Sequence, residues 1–379
     1  MQTNLFIIAK TFFACSLLAA IASCNDSSST DRSSETITKD SVVKESGKIE
    51  LKPAGTAPEW GKDIKPEMQV VIEKLAALGG KPTETLDAPT ARMQPTPTDA
   101  VMAVMQEHNI PIPPALCDTV GMEIPVMGGS THIRVYTPKQ GRAPFPVIVY
   151  YHGGGWVIAD INVYSASAQG LCEQVGAVVV SIEYPKGPEK KFPAAHNTAF
   201  EAYQWVLKNA GSLKGDSSKI ALVGESAGGN LAANVSIMAR DKKLQLPLYE
   251  VLVYPIANND MNSESYLKYA GAKPLNKAMM AWFIKNALLS EAQASDPRIS
   301  LVKANLAGLP KTLIIGAELD PLQSEGKLLA DKLKEAKVDT DYQLYYGVTH
   351  EFFGMAAVVP QAKDAQALAV KKLKTAFGL

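Results

Sequence analysis

The chain has 379 residues, 46% of them hydrophobic and 20% charged, with 38 Lys plus Arg set against 38 Asp plus Glu. That length and apolar content can bury a large core, and balanced charge without a dense basic tract argues against a nucleic-acid face. The partner expected is a small molecule.

Lys10 precedes the apolar run Thr11 to Ala22, which is shorter than the ~20 residues a membrane span needs and predicts a signal peptide over 1–23. It ends in Ile21-Ala-Ser-Cys24, which resembles a bacterial lipobox. Cleavage before Cys24 would leave that residue to carry lipid and hold the protein outside the cytoplasm on a membrane. An ordinary secretory signal, giving a secreted or periplasmic protein, is the alternative. Residues 24–55 are dominated by Ser, Thr, Asp, Glu and Lys in their first half and are expected to form a disordered tether. Cys117 and Cys172 then remain in the folded part; a disulfide is permitted outside the cytoplasm, but separate buried thiols are the commoner outcome.

Residues 56–118 are expected to supply cap helices, largely over Pro66 to Ile112 with a break at Gly79-Gly80. Over 119–379 the pattern alternates. Strands are predicted at His132–Tyr136, Pro146–Tyr151, Ala177–Ile182, Ile220–Val223, Tyr249–Tyr254, Thr312–Ile315 and Asp341–Tyr346, and helices at Pro193–Ala210, Ser324–Ala336 and Gln361–Phe377. This alternation predicts an α/β fold, a mostly parallel sheet with helices on both faces. A second cap insertion is expected near 258–290. Its Met279, Met280, Trp282 and Phe283 read either as a pocket lining or as an ordinary core-facing stripe.

Between the strand ending at Val223 and a helix-forming stretch stands Gly224-Glu-Ser-Ala-Gly-Gly229. That order places Ser226 on a sharp strand-to-helix elbow whose glycines allow close backbone approach. A serine hydroxyl is a poor nucleophile unless an imidazole takes its proton and a carboxylate orients the imidazole. Of the five histidines, His108, His132, His152, His196 and His350, only His350 follows the last predicted strand, in a loop at a strand's carboxyl end. Asp320 follows the strand Thr312–Ile315 and completes the order Ser, Asp, His. Glu318 and Asp296 are rival acids. His152-Gly-Gly-Gly-Trp156 directly follows a buried strand and suits an oxyanion hole, with the Ala227 amide as a further donor and His152 fixing the loop. A phosphate-binding reading fails because no Lys-Ser/Thr follows the glycines.

With these motifs, and with Glu183-Tyr184, Pro188-Glu189, Phe192-Pro-Ala-Ala195, Asp296-Pro-Arg298 and Phe352-Phe353, the chain resembles the hormone-sensitive-lipase-like family of α/β-hydrolases, the bacterial family IV esterases. The likeness runs from about Pro66 to the end. It implies the α/β-hydrolase fold with a helical cap, Ser226 as nucleophile, Asp320 as orienter and His350 as base. It also implies Gly154, Gly155 and Ala227 as oxyanion donors, with Gly153 as the supporting glycine. Three positions depart from the family pattern. Tyr184-Pro-Lys-Gly-Pro-Glu189 lacks an arginine often used to brace the loops, Glu225 stands where Asp or Thr is usual, and Glu351 stands where Gly is usual.

The function expected is a serine carboxylesterase acting on small acyl esters through an acyl-enzyme, with no cofactor and no metal. The alternatives are an amide, formamide or acetyl-sugar hydrolase on the same triad, or a ligand-binding lipoprotein without catalysis.

Overall fold

The computed structural model describes residues 50–379. The expected signal peptide, Cys24 and the tether as far as residue 49 lie outside the described residues. Its last part, 50–55, does not behave as a tether. Leu51 is buried, and the amides of Ala54 and Gly55 donate to the Glu73 carboxylate at 2.7 and 3.0 Å, because a fixed acceptor is there to pair them. The described residues, 50–379, cluster as one unit.

Eight strands form one sheet: β1 (Cys117–Val126), β2 (Gly129–Pro138), β3 (Phe145–Tyr151), β4 (Val178–Ile182), β5 (Gly215–Glu225), β6 (Tyr249–Val253), β7 (Lys311–Leu319) and β8 (Thr340–Thr349). Their order is β1-β2-β4-β3-β5-β6-β7-β8. β2 pairs antiparallel with β1 and β4, and every pair from β4 to β8 is parallel. The chain steps from β3 to one neighbour and returns on its other side as β5, so the carboxyl ends of β3 and β5 flank the switch point where such sheets open a crevice.

The helices are α1 (Pro66–Ala77), α2 (Ala88–Ala91), α3 (Pro97–Glu107), α4 (Ser165–Val175), α5 (Ala194–Asn209), α6 (Ala227–Asp241), α7 (Glu264–Lys268), α8 (Lys277–Ala287), α9 (Gln323–Glu335) and α10 (Pro360–Phe377). Alternate strand residues feed two cores. Val147, Val149 and Tyr151 join Phe200 of α5, Leu231 of α6 and Leu329 of α9, whereas Ile148 and Tyr150 join Leu171 of α4 and Leu373 of α10. Both faces are covered, which is why β3, β4 and β6 are buried along their whole length. Cys117 and Cys172 are free, buried thiols.

This packing leaves a carboxyl inside the sheet. Glu250 on β6 is fully buried, with the Thr312 hydroxyl at 3.5 Å from its Oε2, and burial pushes its pKa up to about 8. A carboxyl whose folded pKa lies above its unfolded value stabilises the fold below the unfolded value. That contribution is lost as pH rises through the folded one. Glu250→Gln keeps the shape without the charge, so its Tm advantage over wild type is expected to grow by several degrees from about pH 5 to about pH 8. A pH-independent difference in thermal melts would contradict this account of Glu250.

Candidate active site

Ser226 ends β5 with φ 55° and ψ −118°, a conformation sparsely populated by non-glycine residues. Its surroundings impose the strain. The Ser226 amide donates to Val253 O at 2.9 Å, and its carbonyl accepts from Asn230 and Ile256 at 3.1 and 3.2 Å. A Cβ on Gly224 would strike the Gly228 backbone, and one on Gly228 would strike the carbonyls of Tyr151 and His152. The helix therefore starts against the sheet, with Ala227 as its first residue and its amide among those a helix leaves unpaired.

His350 follows β8 directly, and its Nδ1–H donates to Asp320 Oδ2 at 2.7 Å. Asp320 is fully buried and its other oxygen accepts from the Leu322 amide at 2.9 Å, so the carboxylate is fixed from both sides. Burial works against a charged imidazole here. The charge and hydrogen bond of Asp320, helped by Glu351 and Glu225, outweigh it and raise His350 above its ordinary 6.5. The Tyr254 ring packs on the imidazole with centroids 4.4 Å apart. Ser226 and His350 line the same cavity, although no hydrogen bond joins the hydroxyl to the imidazole; such contacts often tighten only with substrate. The rival acids are used elsewhere. Glu318 accepts from the Gly347 amide at 2.8 Å, and Asp296 grips Arg298 at 2.8 and 3.0 Å.

The other buried histidines are structural in their contacts. His152 stacks on Tyr184 with centroids 4.2 Å apart, shares a 2.8 Å hydrogen bond between Nδ1 and Gly153 O, and has its pKa lowered by burial. His196 donates from Nε2 to Asn230 at 3.0 Å and is pushed down to about 4 by burial.

After His152 the backbone turns beneath the cavity. Gly154 has φ 99° and Gly155 φ 58°, and a Cβ on either would enter the Ile158 carbonyl or the Phe283 ring respectively. Among the described residues neither amide has an acceptor. Two residues with unpaired amides thus line the cavity with Ser226, and Ala227, the first residue of α6, follows the serine directly.

Bracing of these loops comes from residues that the sequence did not disclose. Arg92, just beyond α2, donates from Nε to Val157 O at 2.8 Å and from Nη2 to Gly187 O at 2.7 Å. Its fork also holds Glu189 at 2.7 and 2.8 Å, keeping that carboxyl down at about 2. Lys186 donates to Glu183 at 2.6 Å and to Ala159 O at 2.7 Å. Together they tie the segment 157–159 to the segment 183–189. Beneath Ser226, the Glu225 carboxyl accepts from the hydroxyls of Tyr150 and Tyr254, each at 2.5 Å, and is pushed up to about 7 by burial and by Glu351.

The cavity measures about 410 Å³. The cap insertion splits as its two sequence readings would divide it, since Met279 and Phe283 line the cavity while Met280 and Trp282 sit in the core. Trp282 also donates to Leu86 O at 2.9 Å, tying α8 to the segment before α2. Among the described residues no group of His, Cys, Asp and Glu side chains is assembled that could hold a metal ion.

Comparison with known proteins agrees with this fold. The family profile described as alpha/beta hydrolase fold matches residues 148–354. Carboxylesterase NlhH of Mycobacterium tuberculosis is 34% identical over 273 residues, 70% of this chain and 86% of that protein. Ethyl acetate hydrolase of Pseudomonas putida is 27% identical over 82% of this chain and 98% of its own length. Among solved structures, an esterase of Pyrobaculum calidifontis superimposes with a TM-score of 0.74 at 35% identity, covering 82% of this chain and 98% of that one.

Proposed function

The chain belongs to the α/β-hydrolase family, and from that membership we propose that it is a serine carboxylesterase acting on small acyl esters. The observation that carries the reading is the buried 2.7 Å pair between Asp320 and His350, set on one cavity with the strained Ser226. In the proposed cycle, His350 Nε2 takes the Ser226 proton as Oγ attacks the ester carbonyl, and Asp320 holds the imidazolium that forms. The amides of Gly154, Gly155 and Ala227 receive the developing oxyanion, each donor being worth about 10²–10³ in turnover. His350 then returns the proton to the departing alkoxide. Water, deprotonated by the same nitrogen, releases the acid and restores the serine.

The apolar Leu275, Met279 and Phe283 on the lining of this cavity of about 410 Å³ support a small acyl group. Turnover of p-nitrophenyl esters by the full chain is expected to be highest for acetate to hexanoate and to fall at least about tenfold by dodecanoate, as added methylenes outgrow the pocket. Equal kcat/KM across the series would refute the size limit, and no hydrolysis of any member would refute the esterase reading.

A further inference from the structure

Glu351 follows the base directly and holds a left-handed conformation, φ 71° and ψ 0°, that a glycine adopts freely and a glutamate only under strain. Its Oε1 accepts from the Tyr164 hydroxyl at 2.6 Å and lies 3.9 Å from His350 Nε2. Its other oxygen has no partner among the described residues, and the side chain, 19% exposed, borders the cavity. Other charged groups lining the cavity have partners: Lys186 pairs with Glu183 and Ala159 O, Arg92 with Glu189, Asp160 with the amides of Asn162 and Val163, and Glu84 with the Asn276 side chain. Lys81 and Lys273 stand exposed at the rim. The Glu351 carboxyl thus stands beside the reacting nitrogen, its Oε1 shared with Tyr164 and its Oε2 free to meet a substrate.

We infer that Glu351 is a specificity-determining residue selecting esters whose alcohol carries a hydroxyl two carbons from the ester oxygen, as in partly acylated polyols and sugars. The inference rests on the esterase reading above and deepens it. Because Nε2 must protonate the departing alkoxide, the leaving oxygen lies within hydrogen-bond reach of that nitrogen. A carboxyl whose Oε1 lies 3.9 Å from the same nitrogen therefore stands beside the first atoms of the alcohol. A hydroxyl there can donate to the carboxylate or accept from the protonated acid, so it pairs with Glu351 in either state. That matters because burial raises the Glu351 pKa. An ammonium would need the ionised form and would approach past Lys81 and Lys273.

The test compares kcat/KM for 2-hydroxyethyl acetate and its isostere n-propyl acetate, alongside acetylcholine and its isostere 3,3-dimethylbutyl acetate. Wild type is expected to prefer the hydroxylated ester at least about tenfold, since an alkyl group leaves the carboxyl unpaired. Glu351→Gly should bring that ratio to about one without lowering Tm, because it removes backbone strain, whereas Glu351→Gln, which can still pair with a hydroxyl, should retain most of the preference. A wild-type ratio near one, a ratio that survives Glu351→Gly, or a larger preference within the choline pair would overturn the inference. Fluorophosphonate labelling of Ser226 in the same preparation separates the two failures: label with no preference sinks only the selectivity, and no label sinks the reading of the site.

Discussion

Ser226→Ala is expected to lower kcat toward p-nitrophenyl butyrate by about 10⁴- to 10⁶-fold, down to what oxyanion donors and binding alone supply. The size follows from the proposed chemistry, because without Oγ no acyl-enzyme forms and the slower direct attack of water on the bound ester is all that remains. The change should be nearly silent in stability. Alanine carries the same Cβ into the same strained backbone, and the hydroxyl makes no hydrogen bond that holds the elbow, whose anchors are the Ser226 amide and carbonyl. Steady-state kinetics with a thermal melt checks both halves. A variant that keeps a tenth of wild-type turnover would remove Ser226 from the mechanism.

For Asp320→Asn the expected loss in kcat is about 10⁴-fold, since the amide presents the imidazole with the wrong tautomer and no charge. A second signature separates this from simple disruption. The base must be neutral to act, so activity falls as pH drops through the His350 pKa, which Asp320 helps raise above 6.5. In the variant, the acid limb of kcat/KM should therefore move to lower pH even as the plateau collapses. Glu318→Gln and Asp296→Asn serve as controls and should stay within about tenfold of wild type, because their carboxylates brace Gly347 and Arg298. If Glu318→Gln were the more damaging change, the orienting acid would be misassigned.

How much of this could be read in advance depends on the range of the contact. Ser226 was legible because its elbow is local: Gly224 and Gly228 sit two residues to either side, and both are forced by backbone approach. The central parallel strand β3 was legible as an unbroken apolar run. β1 was not, because an edge strand with only Cys117 and Ile124 buried has no apolar alternation to detect. α4 was missed for a related reason, since its inward face includes Ser167 and Ala168 and gives little contrast with its outer one. Contacts across the chain were invisible. Arg92 meets Glu189 from 97 positions away, and Tyr164 meets Glu351 from 187, so neither brace could be read from local pattern. The same holds for Glu351, which stood out as a departure from glycine but whose place beside His350 Nε2 needed coordinates.

The account turns on a covalent bond at one hydroxyl. Treating the full chain with a fluorophosphonate and mapping the adduct by peptide mass spectrometry tests it most directly. The expected result is a single stoichiometric adduct on Ser226, strongly slowed in His350→Ala and in Asp320→Asn. A protein that hydrolyses esters yet takes the label at another residue, or takes it equally fast without His350, would contradict it.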